Sequence, residues 1–212
     1  MVATAERPAR RAEGLARRAE DKFTARRSEL AGAALRTLAE RGYAQTGLRD
    51  IAQNTDFSHG VLHYYFADKT DLITHCVREY KAQCVTRYDE VVAGAATAEE
   101  LAAGFLGKLA ETLVDEAAMH RLWYDLRNQS MFESAFRDDV AAIDLSLEQM
   151  IWRVVTRYAE LSGRTPQVTS PAMYAAFDGL FQQALLRQLA GEPSAAADLQ
   201  AAVTEVLPHL VR

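Results

Sequence analysis

Residues 46–69, TGLRDIAQNTDFSHGVLHYYFADK, hold two short helices, a tight turn between them and the start of a third helix. Helices this short are marginal on their own, so the segment has to be held by a longer neighbour. Thr46 reads as an N-cap, because its hydroxyl can accept from an orphan backbone N–H. Ile51 and Ala52 give the first short helix a small apolar face. Asn54-Thr55-Asp56 is turn chemistry, and Phe57 is placed to plug the angle between the two helices. Ser58 caps the second helix, in which Leu62 and Phe66, at i and i+4, share the inward face. His59, Gly60, His63 and Tyr64 then fall on the other face. Asp68 caps the next helix, with Asp71 as the acidic half of a capping box. Lys69 sits at that helix start, where its charge and the free N–H groups would both attract a phosphate. A helix pair of this size is a device for placing one helix in a DNA major groove.

At these residues the segment resembles the DNA-binding signature of the tetracycline-repressor (TetR) family of bacterial transcription regulators. The resemblance rests on Thr46, Ile51-Ala52, Asp56-Phe57-Ser58, Gly60, His63-Tyr64-Tyr65-Phe66 and Lys69, in order and at matching spacings. The preceding helix fits as well. It is expected over residues 26–43, with Ala31, Ala34, Leu35 and Leu38 as its stripe and Arg41-Gly42-Tyr43 at its end. Two positions depart from the family pattern. Asp56 replaces a turn glycine, which predicts a slightly strained turn. His63 replaces a tyrosine, so a phosphate contact there would depend on pH. The expected DNA-contacting set is Thr46, Arg49, Ser58, His59, Gly60, Val61, His63, Tyr64 and Lys69. Val61 can pack on a thymine methyl, the histidines can donate to a base or phosphate, and Gly60 permits close approach.

The net charge of -5 argues against indiscriminate nucleic-acid binding, but the charge is unevenly spread. Residues 1–69 carry 12 Lys+Arg against 9 Asp+Glu, and residues 70–212 carry 12 against 20. The basic groups cluster at the N-terminus: Arg7, Arg10, Arg11, Arg17, Arg18, Lys22, Arg26 and Arg27. Residues 1–22 are read as a basic arm, residues 23–69 as the helix-turn-helix domain, and residues 70–212 as a ligand-binding and dimerisation domain. For the arm, two readings stay open: a contact to the DNA backbone or minor groove, and a solvated charge run interspersed with Glu6, Glu13, Glu20 and Asp21.

The remainder reads as helical, which makes the fold class all-α, a three-helix head on a helical bundle of about nine or ten helices in all. A long helix is expected over residues 68–92, broken by Gly94-Ala95-Ala96. Thr97 caps the next, whose face is Leu101, Phe105, Leu109 and Leu113. Further helices are expected over residues 119–128, 133–161 and 171–190, and Ser194 caps the last. Tyr174, Phe181, Leu185, Val203 and Leu207 are the expected dimer interface, a four-helix bundle of two helices from each subunit. The other reading keeps that stripe inside a monomer. The resemblance implies a homodimer, and Asp178-Gly179-Leu180 is similar to a short sequence of that family helix.

The sequence offers little enzyme chemistry. The histidines at 59, 63, 75, 120 and 209 are scattered, with no HExxH, CxxC or GxSxG pattern and no glycine-rich phosphate loop. No catalytic residue, metal site or cofactor is expected. Cys76 and Cys84 lie eight apart on one helix, about 12 Å, too far to bond each other. With no apolar run long enough to span a membrane and no signal-peptide core at the N-terminus, a cytoplasmic protein with reduced thiols is expected. The resemblance implies a ligand pocket in the body. Phe105, Trp123, Tyr124, Arg127, Asn128, Trp152, Phe177 and Phe181 are its candidate lining, with Phe132 and Gln182 beside them; as plain core these aromatics would need no ligand. The expected function is a transcription regulator, a repressor released from double-stranded operator DNA by a lipophilic or aromatic small-molecule effector. An effector-independent DNA binder, and a small-ligand carrier or enzyme on the same helical fold, remain the alternatives.

Overall fold

A computed structural model describes residues 6–42 and 46–212, with side-chain surroundings from residue 17 onward. Among these residues the chain forms α1 (Glu6–Arg41), α2 (Leu48–Gln53), α3 (His59–Tyr65), α4 (Lys69–Cys84), α5 (Asp89–Gly94), α6 (Ala98–Asp115), α7 (Ala117–Gln129), α8 (Arg137–Leu161), α9 (Ser170–Leu189) and α10 (Ala195–Val206), with 3-10 turns at Ser134–Phe136 and Leu207–Leu210. An antiparallel bridge between Pro166 and Val211 ties the C-terminal tail to the loop after α8. The chain divides into two compact units, Met1–Glu79 and Tyr80–Arg212. No described helix is long and apolar enough to cross a membrane.

In the first unit, α1 starts at Glu6 rather than near residue 26. Its early segment is rich in Ala, Arg and Glu, good helix formers, and Pro8 falls in the first turn, where the missing N–H costs nothing. The side chains of Arg7, Arg10 and Arg11, and all of Tyr43, lie outside the described residues; Arg17, Arg18 and Lys22 are exposed. Gly42 ends α1 with φ 78°, and its N–H donates to the Leu38 carbonyl at 2.8 Å. This is the left-handed C-terminal position that a Cβ would strain. Leu30, Ala31, Ala34 and Leu38 meet Leu48, Ile51, Leu62, Phe66, Leu72 and Ile73 in the core. The unit runs past Lys69 to Glu79 because the start of α4 is bound to α1. Arg27 pairs with Asp71 at 2.5 Å, Ser28 donates to Glu79, and the Cys76 thiol donates to the Ala31 carbonyl at 3.3 Å.

The second unit is a helical bundle in which α10 packs on α6 and α9, and α8 packs on α9 and α6. Its core is Leu101, Phe105 and Leu113 from α6, Val154 and Val155 from α8, Met173 and Leu185 from α9, and Leu199 and Val203 from α10. Thr97 caps α6 as expected, accepting from the Glu100 N–H at 3.1 Å. Ser194 does not cap α10 with its side chain; its hydroxyl accepts from Arg187 at 3.2 Å instead.

The expected long helix over residues 68–92 is two helices. α4 stops at Cys84, and the N–H groups of Thr86 and Arg87 reach back only three residues, to Gln83 and Cys84. The Thr86 hydroxyl also donates to the Gln83 carbonyl at 3.1 Å, a local bond that competes with helix propagation. Arg153 satisfies the Val85 carbonyl from outside at 2.7 Å. The tightened turn places Arg87 and Tyr88 on the wall of a cavity.

Candidate functional site

In the first unit, Asp50 accepts the Gly47 N–H at 2.8 Å and so fixes the entry to α2, with Gly47 rather than Thr46 as the capping residue. Thr46 is buried, and its hydroxyl donates to the Gly42 carbonyl at 2.8 Å. That corrects the expected cap and withdraws its side chain from the DNA-contacting set. The turn to α3 is not strained, since no described non-glycine residue has a positive φ, Asp56 included. Ser58 caps α3 as expected, its Oγ accepting the Val61 N–H at 3.3 Å. Losing this acceptor in Ser58→Ala is expected to lower the unfolding free energy by about 1 kcal/mol, read from urea denaturation.

Leu62 and Phe66 are buried beneath α3, while Gly60, His63 and Tyr64 face solvent. Tyr64 is 72% exposed, a large aromatic left outside a unit that has a core to put it in. The His59 and His63 Nε2 atoms are 3.2 Å apart, one ring donating to the other. Behind them Phe23 of α1 lies 4.8 Å from the Tyr65 ring and 6.2 Å from the Tyr64 ring. Arg26 stacks over Phe57 and Arg27 over Phe66, each at 4.8 Å, and these contacts hold α3 against α1. Arg49 is exposed on α2, and Lys69 is half-buried at the start of α4. Asp68 accepts the Asp71 N–H at 2.8 Å there, and Asp71 accepts that of Ala67 at 3.1 Å, close to the expected box. The result is one short, capped helix with a polar, aromatic outer face and a glycine for close approach.

The second unit contains a cavity of about 70 Å³. Leu109 and Thr112 of α6, His120, Trp123 and Tyr124 of α7, and Leu147, Met150 and Ile151 of α8 line it. Tyr174, Phe177, Asp178 and Phe181 of α9, Lys81 and Cys84 of α4, and the turn residues Arg87 and Tyr88 complete it. Of the expected lining, Trp123, Tyr124, Phe177 and Phe181 are present. Phe105 is one layer behind, its ring 5.8 Å from that of Phe177. Trp152 is half-buried on another face of α8, one residue and about 100° away from Ile151. Asn128 is exposed, Phe132 is 82% exposed, and neither these nor Gln182 line the cavity. Arg127 is spent elsewhere, pairing with Asp178 at 2.5 Å and with Asp144 at 3.2 Å.

The expected dimer residues are also relocated. Leu185, Val203 and Leu207 are buried within their own unit because they are the inner stripes of α9 and the C-terminal segment. Tyr174 donates to Asp144 at 2.6 Å, and Phe181 faces the cavity. The outer face of α9 instead carries Ala172, Ala175, Gly179, Gln183, Leu186 and Leu189, all exposed.

Polar groups that the sequence reading passed over make one wall of the cavity. Glu116 accepts from Arg87 Nη2 at 2.7 Å on each oxygen and from the Tyr80 hydroxyl at 2.5 Å. Burial opposes the Glu116 charge, yet the hydrogen bonds from Arg87 and Tyr80 win and hold its pKa below the ordinary value. His120 Nε2 lies 2.9 Å from the Thr112 hydroxyl, and its Nδ1 lies 3.4 Å from Lys81 Nζ. Burial, and then the charges of Lys81 and Arg87, push His120 well below its usual pKa, so the ring is neutral. Lys81 is only 3% exposed; its Nζ is 5.3 Å from the Trp123 ring centre and 5.4 Å from that of Tyr80. Burial lowers its pKa to about 8. A signal for this wall was present: Thr112, Glu116 and His120 recur every fourth residue, as do Tyr80 and Cys84, and in each run polar groups take positions on a helix face that is otherwise apolar.

An all-α chain whose first unit presents a capped short helix behind a tight turn, and whose second unit is a bundle around a cavity, has the build of a helix-turn-helix regulator. Residues 30–76 match the model of the bacterial regulatory proteins of the tetR family. The repressor KstR2 of Mycobacterium tuberculosis is 26% identical over 58% of this chain and 75% of its own length. The regulator BetI of Burkholderia mallei is 29% identical over 79% of this chain and 84% of its own. The crystal structure of the regulator FadR from Bacillus subtilis in complex with stearoyl-CoA shares the fold, with a TM-score of 0.67 at 21% identity over 84% of this chain and 95% of that one. The first unit thus carries the DNA-binding domain of the tetR-family regulatory proteins, and the chain is a DNA-binding transcription regulator similar to members of that family.

Proposed function

We propose that the protein is a homodimeric repressor that lays α3 of each subunit in the major groove of operator DNA and is released by a small molecule bound in the α4–α9 cavity. The observation that carries this reading is α3 itself. It buries Leu62 and Phe66 and leaves His63, Tyr64 and Gly60 outside. Ser58, His59 and Val61 complete the reading surface, with Arg49 and Lys69 for the phosphates. One such helix reads only a few base pairs, so two-fold pairing is needed for specificity. The outer face of α9, with Leu186 57% and Leu189 41% exposed beside Gly179, is the surface for that pairing. Its small residues let two helices approach closely.

The cavity supports an effector. Pockets for drug-sized ligands run to about 300–1,000 Å³, so 70 Å³ admits either a small molecule or one that parts the helices around it. A ligand that binds better to a parted bundle stabilises that shape, and this differential affinity is what couples it to DNA release. FadR is seen with stearoyl-CoA, a molecule far beyond this cavity's size. A soluble regulator of bacterial genes works in the cytoplasm, where Cys76 and Cys84 stay reduced. No catalytic step belongs to this reading.

Selection of duplexes from a random pool by the purified protein tests it. An enriched inverted repeat, bound by two chains, is the expected result. Recovery of no preferred sequence, or of a single asymmetric site bound by one chain, contradicts it.

A further inference from the structure

Lys81 is a buried ammonium without a counter-ion of its own. Among the described residues no carboxylate forms an ion pair with it. The nearest acids are already engaged, Glu116 by Arg87 and Tyr80, and Asp178 by Arg127 and Tyr124. Its hydrogen-bond partner is a neutral imidazole nitrogen, His120 Nδ1, at a long 3.4 Å. The ammonium has three donors; the ring faces of Trp123 and Tyr80 lie beside it, and Cys84, Asp178, Arg87 and Glu116 are the other charged or titratable groups that act on it. A burial this complete is costly for a charge unless it is paired. Yet the side chain is on the wall of the cavity, where a bound molecule could reach it.

Away from Lys81 and the engaged polar groups Arg87, Thr112, His120 and Asp178, the lining is apolar, with Leu147, Met150, Ile151, Phe177 and Phe181. A ligand that satisfies both ends has one anionic group and a short hydrocarbon or single-ring body. We infer that the effector is a small monocarboxylate whose carboxylate pairs with Lys81 Nζ while its apolar part lies between α8 and α9. The inference rests on the effector reading above and gives that effector its chemistry. A single compact negative charge fits because the other nearby cation, Arg87, is held by both oxygens of Glu116. A dianion such as a phosphate monoester would find only one uncommitted positive group. A quaternary ammonium would be repelled by Lys81 at close range in a medium of low dielectric. Thr112 and His120, joined at 2.9 Å, line the same cavity, and either can donate to the second carboxylate oxygen by exchanging that bond for one to the ligand.

The test is calorimetric titration of the full-length protein, without DNA, at pH 7. The probes are butyrate, hexanoate and benzoate, their primary amides, and choline. At least one carboxylate is expected to bind ten times or more tighter than its own amide, with choline not binding. Lys81→Met is expected to erase that preference, leaving acid and amide equal, and Lys81→Gln, which keeps a donor but no charge, to do the same. An amide or choline that binds as well as the carboxylates overturns the inference, as does a carboxylate preference that survives both substitutions or the failure of every carboxylate to bind. A second reading separates this from the effector role. Carboxylate binding with unchanged DNA affinity upholds the carboxylate site at Lys81 but overturns its role as the effector site and sinks the release mechanism. Release of DNA by a neutral or cationic compound does the reverse.

Discussion

Glu116→Ala is expected to lower the unfolding free energy by about 2–3 kcal/mol, measured by urea denaturation. Glu116 joins α6 to α7 and accepts from Arg87 Nη2 on both oxygens, the Arg87 side chain being 20% exposed, while also accepting from Tyr80. Removing one partner of a buried ion pair costs about 3–5 kcal/mol, because the other charge stays buried. Glu116 itself is a third exposed, so water recovers part of that cost. Glu116→Gln keeps an acceptor for Tyr80 and should lose less. A loss below about 0.5 kcal/mol in Glu116→Ala, the size of an ordinary surface pair, would show that the turn between α4 and α5 is not held by this bond.

Lys81→Met is expected to move stability the other way, raising it by about 1–3 kcal/mol at pH 7, since an apolar side chain of similar length replaces an unpaired buried charge. A group kept for ligand binding at a cost in stability has this signature. The pH dependence follows from the same fact. Burial lowers the folded pKa of Lys81 to about 8 from the ordinary 10.5. Between those values the unfolded chain holds the proton more tightly than the folded one, so the Lys81 contribution to stability rises with pH across that window. The wild-type protein should therefore recover about 1 kcal/mol relative to Lys81→Met between pH 7 and pH 9. Tyr80, Cys84, Arg87, Glu116, His120 and Asp178 surround Lys81 in both proteins, so the difference between the two isolates Lys81. Equal pH profiles would mean that its ammonium is already compensated.

The head of this protein was far more legible in its sequence than the body. Its elements are short and punctuated by local chemistry: Ser58 as a cap, Gly42 with its positive φ, and Leu62 and Phe66 one turn apart. Thr46 was misread because a threonine before a helix suggests a cap, whereas tertiary packing turned its hydroxyl back to Gly42. In the body, periodicity found α6, α8, α9 and α10 but could not say which apolar residues face a cavity and which face core. Trp123 and Trp152 look alike in the sequence, and only the rotation of their helices separates them. Leu185 and Val203 were read as a dimer stripe, with a subunit's own interior as the other reading, and they are buried within their unit, because a stripe large enough for a partner is also large enough for that interior. Lys81 and Arg87 come from one stretch of the chain and Thr112, Glu116 and His120 from another. Their meeting depends on the break after Cys84, which no glycine or proline announced.

The measurement that bears most directly on the regulator reading is fluorescence anisotropy of the purified protein on DNA from around its own gene, or on the repeat recovered by selection, across a salt series with unrelated DNA as competitor. Competitor-resistant binding that falls steeply with salt, and that drops about tenfold in each of His63→Ala and Tyr64→Ala for contacts of about 1–3 kcal/mol, is the predicted result. Affinity equal to that for unrelated DNA on both targets, or binding indifferent to both substitutions, would contradict α3 as the reading helix.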